Sequence, residues 1–130
     1  MLDTQQIKAL YMEHGAILFR GFCLNIEEFA EFSDRFCSHY VSNKSPGREV
    51  LSNDGRVQTV NLGFQYFPLH PEISREPWQP DVAWFACQQP SRLGGETTIC
   101  DGVTLAKALS PELHKHLTQN SLAHTLPTDI

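Results

Sequence analysis

An imidazole and a carboxylate stand two residues apart at His70 and Glu72, in the run Phe67-Pro-Leu-His70-Pro-Glu72. On an extended strand, positions i and i+2 share a face, so the spacing predicts two side chains projecting side by side. A histidine and a carboxylate held in this way are two of the three protein ligands of a facial triad. In that triad two histidines and one carboxylate bind Fe(II) and leave three coordination positions open. Taken alone, His-x-Glu suits a solvated or salt-bridged pair on the wet face of a strand better than a metal site. The surrounding residues change that balance.

The pair must be positioned by neighbouring elements. Residues 4 to 13 place Ile7, Leu10 and Tyr11 on one helical stripe, with Gly15 as a stop. Ala16 to Phe19 is a short apolar run between two glycines and reads as a buried strand. Asn25 with Glu28 three residues on forms a capping-box pattern. The helix it opens, over 25 to 37, carries Ile26, Phe29, Phe32, Phe36 and Cys37 at three- and four-residue spacing, an aromatic inner face. From Ser42 to Gly55 the composition turns to Ser, Asn, Lys, Pro and Gly, which predicts a mobile surface segment.

Residues 56 to 62 alternate as a strand leading into the His-x-Glu run. Pro77 and Pro80 around Trp78 exclude a helix interior or central strand, leaving a loop over the mouth of the site. Val82 to Cys87 reads as a strand with Trp84 and Phe85 on opposite faces, and Thr97 to Cys100 as another, reached through a Gly94-Gly95 turn. Thr104 and Ser110 are the expected caps of two final helices, the second with Pro111 at its first position, where no N–H is needed. Leu122 to Leu126 closes as a short strand. No repeat, low-complexity tract or second domain interrupts residues 1–130, which read as one unit.

Composition narrows the function classes. A 130-residue chain with 41% apolar residues can supply a core. Net charge is −5 with no basic cluster, which argues against nucleic-acid binding. No apolar run spans a bilayer and the N-terminus lacks the features of a signal peptide, so no membrane association is expected. Cys23, Cys37, Cys87 and Cys100 form no Cys-x-x-Cys pair and do not fit a structural zinc site. Cys87 and Cys100 read as buried free thiols, and the absence of a disulfide framework points to a reducing cytoplasm. Gly94-Gly95 has no downstream Lys-Ser/Thr and is a turn, not a phosphate cradle. His114 and His116, two apart on a helix, do not face each other and read as surface residues. His124 is not assigned as a ligand, and Arg20 and Arg48 are left as surface or structural residues.

Three blocks together resemble the TauD/TfdA (taurine dioxygenase) family of Fe(II)/2-oxoglutarate oxygenases, and within it the clavaminate synthase-like and asparagine oxygenase-like members. They are Phe67-Pro-Leu-His70-Pro-Glu72, Arg75-Glu-Pro-Trp-Gln-Pro-Asp-Val-Ala-Trp-Phe-Ala-Cys87 and Gly94-Gly-Glu-Thr-Thr-Ile-Cys-Asp101. Gly15-Ala-Ile-Leu-Phe-Arg-Gly-Phe22 is a weaker match to the family's N-terminal strand. The resemblance implies an α+β fold, a distorted double-stranded β-helix (jelly-roll) with flanking helices, incomplete in this chain. It implies His70 and Glu72 as metal ligands and Thr97 as the hydroxyl contacting the carboxylate of 2-oxoglutarate. For Thr97 the plainer alternative is a β-branched strand residue.

Members of the family also carry a second metal histidine and a 2-oxoglutarate-binding arginine downstream of these blocks. The chain is therefore expected to represent roughly the N-terminal half of such an enzyme, with an incomplete site that is inactive alone. The implied reaction is hydroxylation or desaturation of a small amino acid or other carboxylate-type substrate. A carboxylate at position 72 disfavours halogenation, since related halogenases have a small residue there. The competing expectations are a truncated, non-catalytic half that needs a partner chain, and a cupin-like binding module. Uncovered sheet edges and apolar faces would favour self-association.

Overall fold

A computed structural model describes residues 3–41, 43, 45–60, 66–74, 76, 78–121 and 123. Four helices are present among them: α1 (Thr4–His14), α2 (Ile26–Asp34), α3 (Gly102–Ala108) and α4 (Pro111–Gln119). Each begins on a side chain that satisfies otherwise unpaired N–H groups. Asp3 caps α1, and Gly15 ends it in the left-handed conformation, donating its N–H to the Tyr11 carbonyl. Asn25 and Glu28 form the full reciprocal capping box of α2, at 2.8 and 2.9 Å. Ser110 caps α4, with Pro111 at its start.

Two helix boundaries differ from expectation. Asp101, not Thr104, caps α3: its carboxylate accepts from the Val103 and Thr104 N–H groups, and the Thr104 hydroxyl donates to it at 2.5 Å. A carboxylate at this position answers two N–H groups at once. These bonds, the Thr104 hydroxyl's first, hold the Asp101 carboxyl below its ordinary pKa. Helix α2 ends at Asp34, so Phe36 and Cys37 lie beyond it, on a turn closed by Phe36 N–H to the Ser33 carbonyl at 3.0 Å.

The expected aromatic face is nevertheless built. Phe32 meets Phe19 at 5.5 Å and Trp84 at 5.5 Å, both edge-on, and Phe36 lies 5.0 Å from Trp84. Edge-to-face pairs of this kind add to the stabilisation from area burial. The cluster joins the 16–19 run, α2 and the 82–87 run; Ile7 on α1 and Ala30 on α2 are the buried apolar residues among those described. Trp84 packs into it while Phe85 is exposed, as the alternation predicts. The Trp84 indole N–H is buried without an acceptor among the described residues. The Tyr11 hydroxyl, from α1, donates to the Asp81 carbonyl at 3.0 Å.

The expected strands are a correction. Among the described residues the only β pairing is an isolated antiparallel bridge, Val50 with Gln58. No backbone hydrogen bond joins residues 16–19, 82–87 or 97–100 to another described segment. Apolar alternation reports a surface that wants cover on one side; a ladder also requires a partner strand in register. The α+β architecture is thus not realised among these residues. Cys87 and Cys100, expected to be buried, are exposed for the same reason: among the described residues no second layer covers those runs. The strand at 122–126, His124, and the end of the 56–62 run lie outside the described residues.

A second difference concerns the segment expected to be irregular. Residues 49–59 fold back on themselves, with Leu51 N–H to the Val57 carbonyl at 2.8 Å and Thr59 N–H to the Glu49 carbonyl at 2.9 Å. Arg56 ties this hairpin to α2. It donates to Asp54 through Nε at 2.6 Å, pairs with Asp34, and lies 4.6 Å over the Tyr40 ring, while the Tyr40 hydroxyl also donates to Asp34. The Arg56 side chain, then the Ser52 hydroxyl and the Arg56 backbone N–H, hold the Asp54 carboxyl far below the usual carboxylate range. A depressed folded-state pKa stabilises at every pH above the unfolded value, and the contribution is lost as pH falls through the folded value. Arg56→Gln should therefore bring the acid loosening of this hairpin up towards the ordinary Asp range near ~3.9. Following the Asp54 carboxyl by NMR during an acid titration checks this; an unchanged titration would show that Ser52 and the backbone suffice.

Candidate functional site

His70 is exposed, and its Nδ1 lies 2.8 Å from the Pro68 carbonyl oxygen. A carbonyl only accepts, so Nδ1 is the donor, and the tautomer this selects leaves the lone pair on Nε2. The Phe67 ring sits edge-on against the imidazole, with centroids 4.6 Å apart. Two contacts within four residues thus orient the ring. Metal-binding histidines are characteristically held in this way, one nitrogen donating to a fixed acceptor and the other free to ligate. Sequence spacing does not point to the Pro68 carbonyl, because every residue carries one; only the backbone path reveals which one is used.

Glu72 is half-buried and lies in a turn over residues 72–74, and just beyond it the Glu76 N–H donates to the Ile73 carbonyl at 3.1 Å. The expected extended strand carrying His70 and Glu72 on one face is therefore not the local geometry. Ile73 has φ +54°, the one non-glycine residue with positive φ among the described residues. For a β-branched side chain this conformation is strained, by roughly 1–2 kcal/mol. The chain consequently reverses immediately after Glu72 instead of running on as a strand.

Thr97 is exposed, two residues beyond a tight turn. Gly94 and Gly95 take φ values of +71° and +80°, a region glycine enters without penalty. A Cβ on Gly95 would also stand 3.1 Å from the Ser91 Cβ, so the turn is restricted sterically as well. The Ser91 hydroxyl donates to the Leu93 carbonyl at 2.9 Å and closes the approach.

The donor set suits a divalent metal in kind: one imidazole, whose Nε2 meets no hydrogen-bond partner among the described residues, and one carboxylate. It is two donors of the three a facial triad uses. Among the described residues no group of three or more His, Cys, Asp or Glu side chains is gathered closely enough to hold a metal ion. His114 and His116 are exposed on α4, as expected of surface residues, and the Asn120 side chain bonds to the His116 carbonyl.

The family model for taurine catabolism dioxygenase TauD, TfdA family matches residues 2–129. The chain belongs to this family. A clavaminate synthase-like protein of Arabidopsis thaliana is 34% identical over 111 residues, covering 75% of this chain and 33% of that protein. This likeness supports the clavaminate synthase-like branch of the TauD/TfdA family. The chain spans about a third of the length of that curated relative. No solved structure matches the chain. Members of the TauD/TfdA family are in general Fe(II)/2-oxoglutarate oxygenases with a jelly-roll fold. No helix among the described residues is long and apolar enough to cross a membrane.

Proposed function

We propose that this TauD/TfdA chain contributes the first two metal ligands, His70 and Glu72, of an Fe(II)/2-oxoglutarate-dependent dioxygenase. Thr97 is the hydroxyl that binds the cosubstrate carboxylate. The observation that carries the reading is the His70 imidazole, oriented by Pro68 and Phe67 with Nε2 free, within a chain matched by the family over 2–129. When bound, Fe(II) would let dioxygen serve as the oxidant: one oxygen atom would end in succinate as 2-oxoglutarate loses carbon dioxide, and the other in the hydroxylated substrate, or in water on desaturation. The residues of this chain hold and orient: His70 by its fixed tautomer, Glu72 by its anionic charge, Thr97 by donating a hydrogen bond. The substrate class is a small amino acid or a related carboxylate.

Residues 1–130 form the N-terminal part of one oxygenase domain, whose complete fold is the distorted double-stranded β-helix with α1 to α4 as flanking helices. The accessible surface favours this reading. It amounts to 11982 Å², against roughly 7,000 Å² for a closed monomer of this mass. Leu18, Phe67, Trp78, Phe85 and Ile99 are among the large apolar residues left exposed. Apolar surface on this scale calls for a covering layer, and without one it favours self-association. The reading includes a cytoplasmic location, with which four free thiols are compatible.

The test is succinate production from 2-oxoglutarate and Fe(II). The 130-residue chain should bind Fe(II) weakly and form no succinate above a metal-free control, while a polypeptide that adds a further histidine and arginine should form it. Turnover by the 130-residue chain itself would show that its third ligand lies within these residues and would reopen His124. Absence of turnover from the longer polypeptide, with metal bound, would overturn the dioxygenase reading.

A further inference from the structure

Cys23 and Cys87 are 64 positions apart in the sequence yet line one cavity of about 340 Å³, together with Phe22, Leu24, Asn25 and Gln88. Both are exposed free thiols. The residue after each cysteine is tied to the residue after the other: Gln88 Nε2 donates to the Leu24 carbonyl at 3.0 Å. Each side is also anchored. Asn25, two residues past Cys23, is the N-cap of α2, and Trp84, three residues before Cys87, packs on Phe32 and Phe36 at the other end of the same helix and just beyond it. The remaining cysteines, Cys37 and Cys100, do not line this cavity. Two accessible thiols opening into one space, on segments held together by a hydrogen bond, are the arrangement that favours an intramolecular crosslink over oxidation of isolated thiols.

We propose that Cys23 and Cys87 are a redox-reactive pair that closes to a disulfide under peroxide. One thiol attacks the peroxide O–O bond, becoming a sulfenic acid with release of water. The second thiol then displaces the sulfenic oxygen as water and forms the S–S bond. Over both steps the two thiols lose two electrons and two protons, and one hydrogen peroxide becomes two waters. A dithiol reductant reverses the change. The link would fasten the approach to α2 to the segment that leads to the Gly94-Gly95 turn. This proposal is independent of the metal reading.

Tryptic digestion suits the test, because each cysteine falls on its own peptide: Cys23 on 21–35, Cys37 on 36–44, Cys87 on 76–92 and Cys100 on 93–107. The reduced chain is treated with hydrogen peroxide, alkylated, and analysed by mass spectrometry before and after digestion. The expected result is a monomer that is about 2 Da, two hydrogens, lighter before alkylation and that takes up two alkyl groups where the untreated chain takes four, both changes being reversed by dithiothreitol. The expected crosslink joins 21–35 to 76–92, severalfold enriched over the same treatment in denaturant, where all four thiols mix. Cys23→Ser and Cys87→Ser should each remove it, and Cys37→Ser and Cys100→Ser should leave it intact. Crosslinks to Cys37 or Cys100 in equal yield, oxidation without an internal link, or linkage between separate chains alone would each overturn the proposal.

Discussion

His70→Ala and Glu72→Ala, introduced separately into a polypeptide with the complete metal site, should each abolish 2-oxoglutarate turnover. A three-ligand site that loses one ligand loses both affinity and geometry. Since disturbing even an outer partner of a metal ligand typically costs 10–100-fold, the loss of a ligand itself should exceed about 100-fold. Metal affinity provides a readout separate from turnover: Co(II) titration, followed by visible absorption, should show weakened binding in both variants. His70 and Glu72 are exposed and half-buried, respectively, so neither substitution empties a core position, and the variants should unfold at denaturant concentrations close to the parent's. A variant that keeps metal affinity and turnover would remove that residue from the ligand set.

Thr97→Val should raise the 2-oxoglutarate requirement roughly tenfold while leaving metal affinity unchanged. The substitution keeps the shape and deletes one hydroxyl, and a hydrogen bond to a charged group is worth about 1.5–3 kcal/mol, the lower end of which is a tenfold effect. Thr98→Val is the control, since neighbouring positions on an extended run face opposite ways. The turn formed by Gly94 and Gly95 sets where this run begins, so the assignment depends on that turn. Cosubstrate titration of both variants decides it: a weaker requirement change in Thr97→Val than in Thr98→Val would shift the contact by one residue.

The parts of the fold legible in advance are those settled within a few residues. Asn25 and Glu28 close their capping box three positions apart, Ser110 and Pro111 start α4, and Gly15 ends α1. The aromatic stripe at Phe32 and Phe36 found its partners because helical spacing puts those rings on one side, even though the helix stops before Phe36. The candidate site was legible in another way, through three blocks whose order resembles one family, and membership in that family is what the match over 2–129 established. His70, Glu72 and Thr97 came from that resemblance; a bare His-x-Glu on a wet strand would not have singled them out.

The sequence by itself determined the starts of α2 and α4, the inner face of α2, the glycine turn before Thr97 and the family, because each is written in short-range spacing or in ordered motifs. Only the tertiary structure decided which segments meet. It joined Arg56 to Asp34, 22 residues away, brought Cys23 and Cys87 to one cavity, and set the Pro68 carbonyl against the His70 ring. It also turned the chain at Ile73, where a strand was expected, and left the 82–87 and 97–100 runs without ladder partners among the described residues. For the long-range pairings among these the physical reason is common. A cap or a helical face is completed by residues one or two turns away, whereas a strand, an ion pair or a shared cavity exists only when a distant segment supplies the other half.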